Sequence, residues 1–164
     1  MISVFKKRKR GNAIIDTMLF IVLLFILATT WVIIGKIFTE LNTEIQAQDI
    51  SAEGKAFSDK IATDYNKIFD SAIIFFLILF WALIIVASFM IETHPVFFVF
   101  SFILLILMFT VVVVLGNTFD EIFTQDITGE RVSFPFTFWI MDNLLVISVV
   151  IGFSVLFAMF ARPK

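Results

Sequence analysis

Four ionisable side chains stand within or at the edge of long apolar runs: Asp16, Glu92, His94 and Asp142. A charge near the centre of a bilayer costs about 3 kcal/mol or more. A carboxylate there is therefore a candidate for ion or proton movement, or for a buried polar contact between helices. Asp142 has Asn143 beside it and lies six residues beyond Phe136, about 9 Å along a helix that starts there. The alternative starts the span at Asn143 and lays residues 134–141 along the interface, since residues 143–161 are long enough to cross. Asp16 follows Arg10 by six residues, about 9 Å, which puts it near the inner headgroups and within reach of Lys6, Lys7, Arg8, Lys9 and Arg10. Glu92 and His94 fall in a short gap between two apolar runs and are expected to be wet. His94 can titrate near neutral pH, but one loop histidine is a poor basis for a sensor. Nothing in the sequence sets a second intramembrane charge at the depth of Asp142, and a proton relay needs several. Asp16, Asp142 and Asn143 are accordingly expected to make polar contacts, with no catalytic role.

The rest of the inventory removes whole classes of chemistry. There is no cysteine, so disulfides and thiolate ligands are absent, and the single histidine rules out a multi-histidine metal centre within one chain. No phosphate-binding glycine loop, His-Glu-x-x-His pair or nucleophile elbow occurs. Cofactor, metal and catalytic residues are all expected to be none. Of 164 residues, 60% are hydrophobic and 16% charged, and the mean hydropathy is +1.05; soluble domains carry about a quarter charged residues. Phenylalanine accounts for 23 positions, suited to lipid-facing surface or, alternatively, to a Phe-lined groove for a ligand or quinone.

These side chains hang on four apolar runs. Residues 71–91 and 96–116 are each 21 residues without a charge, separated by Glu92, Thr93, His94 and Pro95. At about 1.5 Å per residue each run is about 30 Å long, the thickness of a bilayer's hydrocarbon core. Backbone in lipid must satisfy its own hydrogen bonds, so the pair reads as an antiparallel transmembrane hairpin. Pro95 suits the first turn of its second helix, with Thr93 or His94 as the cap. An earlier uncharged run, residues 17–35, follows the block Lys6, Lys7, Arg8, Lys9 and Arg10, and a last one ends at Arg162, Pro163 and Lys164. Basic residues favour the inner side. The expected fold is an all-α membrane protein of four transmembrane helices, at about 13–35, 69–91, 95–116 and 136–161. Residues 1–164 form one membrane domain with both termini on the cytoplasmic or inner side. The basic start resembles a secretory signal, but no small-residue cleavage site follows, and the first span is expected to be retained. Gly11 to Asp16 resembles a type IV prepilin processing site, yet Asp16 stands where that family has Glu and pilins have one span.

Between the first two spans, residues 36–68 form the larger outer segment. Ile34, Phe38, Leu41 and Ile45 make one helical stripe; Phe57, Ile61, Tyr65 and Ile68 make a second, beyond a break at Asp49, Ser51 and Gly54. The expectation is an extramembrane helical hairpin whose helices lean together by these stripes. Its acidic side chains, among them Glu40, Glu44, Asp59, Asp64 and Asp70, outnumber its lysines and give no sign of nucleic-acid affinity. The outer loop 117–135 is expected to continue the third helix for a turn or two and then turn at Thr128 and Gly129.

Ile91, Glu92, Thr93, His94, Pro95, Val96, Phe97 and Phe98, with the basic start and four spans, resemble small multi-span membrane proteins encoded by viruses of bacteria and archaea. That resemblance implies a virion-membrane or host-membrane protein. The expected function is a non-enzymatic integral membrane structural subunit working through contacts with lipid, with other membrane or capsid subunits, or with copies of itself. The alternatives are a pore, holin-like or transport component, and an accessory subunit of a membrane enzyme complex.

Overall fold

A computed structural model describes residues 13–90, 96–123 and 128–160, and every element among them is helical. The order is α1 (Ala13–Ala47), α2 (Ala52–Met90), α3 (Val96–Phe123), α4 (Thr128–Ser133), α5 (Pro135–Asp142) and α6 (Leu144–Phe160). The basic block at 6–10, the cap expected from residues 93–95, Glu92 and His94 lie outside the described residues.

Three helices, α1, α2 and α3, are long and apolar enough to cross a membrane; a fourth span requires counting α5 and α6 together. Of these three, α1 is the most enclosed: 33% of its most apolar stretch is buried, against 11% for α2 and 22% for α3. Its buried face runs Ile14, Ile21, Leu24, Ala28, Val32 and Gly35. This meets Ile73 of α2, Met108, Val112 and Phe119 of α3, and Leu144, Ile151 and Val155 of α6 in one core. Gly152 of α6 faces α3, and a Cβ there would come within 2.8 Å of Leu105 Cδ1.

Helices α1 and α2 have 35 and 39 residues, about 52 and 58 Å at 1.5 Å per residue, so both run far past a 30 Å core. Their distal parts form a stalk that, with the turn between them, carries half of the chain's 14 acidic residues. The stalk is zipped by Phe38 on Tyr65 (ring centroids 4.9 Å), Trp31 on Phe69 (5.0 Å) and polar cross-links near the tip. Asn42 Nδ2 donates to Asp59 Oδ1 at 3.2 Å, Gln46 Nε2 to the Lys55 carbonyl at 2.9 Å, and Lys55 Nζ to the Gln46 carbonyl at 2.7 Å. Ser51 Oγ accepts from Gly54 N–H at 3.3 Å and caps α2.

The expected stripes need correction here. The two helices do pack, and Phe38 and Tyr65 do meet, but Leu41, Phe57, Ile61 and Ile68 are exposed at 47%, 67%, 39% and 63%. The seam of α2 is instead Ala62, Tyr65, Phe69 and Ile73. The turn expected at Thr128 and Gly129 is the start of a short helix, α4. Helix α3 continues past Gly116 to Phe123, as its apolar pattern indicates.

Candidate functional site

The polar groups of interest gather at the corner where α4, α5 and the base of the stalk meet. Helix α5 starts with Pro135 at its first turn, and its N-cap residue, Phe134, has no side chain able to accept a hydrogen bond. The orphan N–H groups are satisfied from another helix. Asp70 of α2, itself buried, accepts Phe136 N–H on Oδ2 at 3.1 Å, and Thr137 N–H and Oγ1–H on Oδ1 at 2.7 and 2.8 Å. A carboxylate placed there also complements the positive end of the helix dipole. Asp70 is thus the structural centre of the corner, whereas its sequence position suggested one more charge on a wet acidic face. Proline at the first turn after an aromatic, with no Ser, Thr, Asp or Asn to cap it, was the available signal that an acceptor must come from elsewhere.

Phe134 is buried against α1: a Cβ on Gly35 would lie 2.3 Å from Phe134 Cζ and 2.5 Å from its Cε2. Only glycine admits the ring at that distance. Beside it, Lys36 Nζ and Glu130 Oε1 are 3.9 Å apart.

At the other end of α5, Asp142 is engaged by Arg131 of α4, with Nη1 to Oδ2 at 3.0 Å and Nη2 to Oδ1 at 3.4 Å. The guanidinium also sits over the Phe138 ring, 5.0 Å from its centroid. The sequence offered Asp142 no second charge within the span; the charged partner it has lies 11 residues upstream on α4, brought back by the α4–α5 turn. Asn143 does not continue the helix (φ −107, ψ 17). Its Nδ2 and its backbone N–H both donate to the Trp139 carbonyl, at 2.8 and 3.2 Å, and the chain bends 69° between α5 and α6. A side chain inserted into the backbone ladder is a recognised cause of such a bend. The break falls where the interfacial reading of Asp142 places the start of the span.

Asp16 lies apart from this corner, exposed in the first turn of α1, where a carboxylate complements the helix dipole. The basic residues expected to pair it are outside the described residues. Among the described residues no group of three or more His, Cys, Asp or Glu could hold a metal ion. Many phenylalanines close on one another: Phe119 lies 4.6 Å from Phe123 and 5.3 Å from Phe138 by ring centroid. The corner's carboxylates are acceptors for backbone N–H, hydroxyl and guanidinium groups, so its chemistry is that of holding a bent helix in place.

No protein-family model matches this chain, and no curated protein or solved structure matches it. Fold and composition define it as an all-α membrane protein with three helices, or four if the bent pair is one span, fit to cross a bilayer.

Proposed function

We propose that this protein is a non-enzymatic structural subunit of a membrane assembly such as a virion membrane, acting through contacts with lipid and with other subunits. The observation that carries this reading is how the corner's polar groups are used. Asp70 and Asp142 are consumed in a helix cap and an ion pair, while large apolar side chains face outward along the helices. In this reading four spans place both termini on the inner side and the stalk and α4 outside. A second reading, a pore or holin-like transport component, draws on Thr29 Oγ1, Trp81 Nε1 and Ser148 Oγ, buried atoms with no hydrogen-bond partner among the described residues.

The two are separated by ion flux in liposomes holding the purified chain, beside identification of the proteins that accompany it from its native membrane. The structural reading expects no flux above empty liposomes, unchanged by Asp142→Asn, together with retained partner subunits. Flux that depends on Asp142 would overturn it. Sidedness is tested by impermeant labelling of cysteines introduced singly: Glu53 and Gly129 should label from outside, Ser3 and Lys164 should not. Labelling of position 94 from outside would refute the four-span arrangement.

A further inference from the structure

The stalk has an apolar face that nothing among the described residues covers. Ile37 and Leu41 on α1 are 49% and 47% exposed, and Phe57 and Ile68 on α2 are 67% and 63% exposed. This part of the chain cannot lie in hydrocarbon, because residues 36–70 carry seven acidic and four basic side chains. Contiguous apolar surface outside a membrane marks an interaction site.

Helix geometry shows the stripes to be one face. At about 100° per residue, Ile33, Ile37 and Leu41 lie roughly 140° around α1 from the residues that meet α2, and Phe57, Ile61 and Ile68 lie roughly 110° around α2 from those that meet α1. The two rotations have the same sign along each chain direction. Because the helices are antiparallel, both stripes therefore turn to one side of the stalk. Lys36, Asn66 and Asp70 turn to the other side, where α4 and α5 pack.

We propose that this face pairs with the same face of a second copy of the chain, making a four-helix stalk about a two-fold axis along the membrane normal; the partner so named rests on the contact-based reading above. Two copies in one membrane share one orientation, so such an axis keeps every residue at its own height. It also sets α1 of one copy over α2 of the other. Heights follow from the cross-links within a chain: Phe38 is level with Tyr65, Asn42 with Asp59 and Gln46 with Lys55. Leu41 of one copy therefore meets Ile61 of the other, and Ile33 meets Ile68. The charged flanks match as well. Exposed Glu40 and Glu44 edge the α1 stripe, exposed Lys60 and Lys67 edge the α2 stripe, and Lys60 falls in height between the two glutamates. Asp64, level with residue 38, offsets Lys60 beside Glu40, and Lys67 is level with residue 35, so the match rests on Lys60 lying between Glu40 and Glu44; Glu53 is nearer the tip. Within one copy these glutamates and lysines are on opposite edges of the stalk, so they can pair only between copies.

The chain is free of cysteine, which makes the test direct. Two populations with different tags, one Leu41→Cys and one Ile61→Cys, are co-expressed and oxidised in the membrane. A disulfide-linked band carrying both tags is expected. Thr43→Cys with Thr63→Cys, both exposed on the opposite side, should give none. Introducing Glu44→Lys or Lys60→Glu throughout should reduce the doubly tagged band toward the control, and the two together should restore it. All six positions are exposed, so membrane insertion and helix content should not change. A doubly tagged band no stronger than the control, or one that neither charge change alters, overturns the pairing. Loss of the pairing with other proteins still bound leaves the structural reading standing; pairing in a chain that conducts ions refutes that reading and leaves the pairing.

Discussion

Asp70 is the residue whose change should cost the fold most for least volume. Asp70→Ala removes the acceptor for three donors, two of them on buried Thr137 and one on exposed Phe136. A buried donor left unsatisfied costs about 1–3 kcal/mol, and water can reach the Phe136 N–H. The expected loss is therefore about 2–6 kcal/mol from the Thr137 donors alone. Asp70→Asn keeps an oxygen for Thr137 but puts an amide where Oδ2 accepts, and it gives up the charge at the helix terminus. That variant should lose about 1–2 kcal/mol. Thr137→Val deletes only the hydroxyl donor and should lose about 1 kcal/mol. The order Ala, then Asn, then Val is to be read from unfolding in mixed micelles of increasing denaturing-detergent content, followed by helix content. A cysteine at Thr137 would report the same event locally, labelling faster when position 70 is Ala. Should Asp70→Ala unfold with the parent, or Asp70→Asn prove the worse of the two, the cap is not what holds α5.

Gly35→Ala should destabilise by about 1–3 kcal/mol through overpacking against Phe134, and Phe134→Leu in the same chain should recover part of it. Gly116→Ala meets nothing within 4 Å, so in the same unfolding assay it should be neutral or stabilise by up to about 1 kcal/mol. Burial raises the phenol pKa of the single tyrosine, Tyr65, above its ordinary value. The folded chain thus holds that proton longer than the unfolded one; the stabilisation is intact below about pH 10 and is lost as pH rises through the folded value. Tyrosinate absorbance in native and denatured protein should show the native midpoint higher. Arg131 and Asp142 are exposed by 46% and 37%, so Asp142→Asn should cost no more than about 1 kcal/mol of stability, less at high salt.

The lengths of α1 and α2 and the helical stalk were legible because hydrophobic runs and 3.6-residue spacing depend on nearest neighbours along one helix. The stalk's seam was not, and the reason is specific. Periodicity reports which face is apolar, not what covers it. In α2 the apolar stripe Phe57, Ile61, Ile68 points outward, while the seam is built from Ala62, Tyr65 and Phe69 plus the Asn42–Asp59 contact. Asp70 escaped because two of its three partners are backbone N–H groups 66 and 67 residues away, which carry no side-chain signature, and the third is a threonine hydroxyl equally remote in sequence. Arg131 escaped because its pairing with Asp142 depends on a turn, α4 into α5, that no helical spacing encodes. The break at Asn143 was half legible: the pair Asp142–Asn143 marked a discontinuity, and its amide bond to Trp139 made it a bend.

Whether α5 could swing into line with α6 to make one long span can be weighed from these contacts. Over its described residues helix α6 has 17 residues, about 25 Å, some 5 Å short of a typical hydrocarbon core of about 30 Å. Hydrophobic mismatch costs fractions of a kcal/mol per Å, so the strain that straightening would relieve is about 1–3 kcal/mol. Against it stand the Asp70 cap, about 2–6 kcal/mol, and the burial of Phe134 in the notch at Gly35, about 1.5–3 kcal/mol. The Arg131–Asp142 pair adds up to about 1 kcal/mol. The corner outweighs the mismatch, and α5 stays bent. That same corner ties α5 to both stalk helices, to α2 through Asp70 and to α1 through Phe134. A force on the stalk, such as pairing with a second copy would apply, therefore reaches the start of α6 through Asp70 and Phe134.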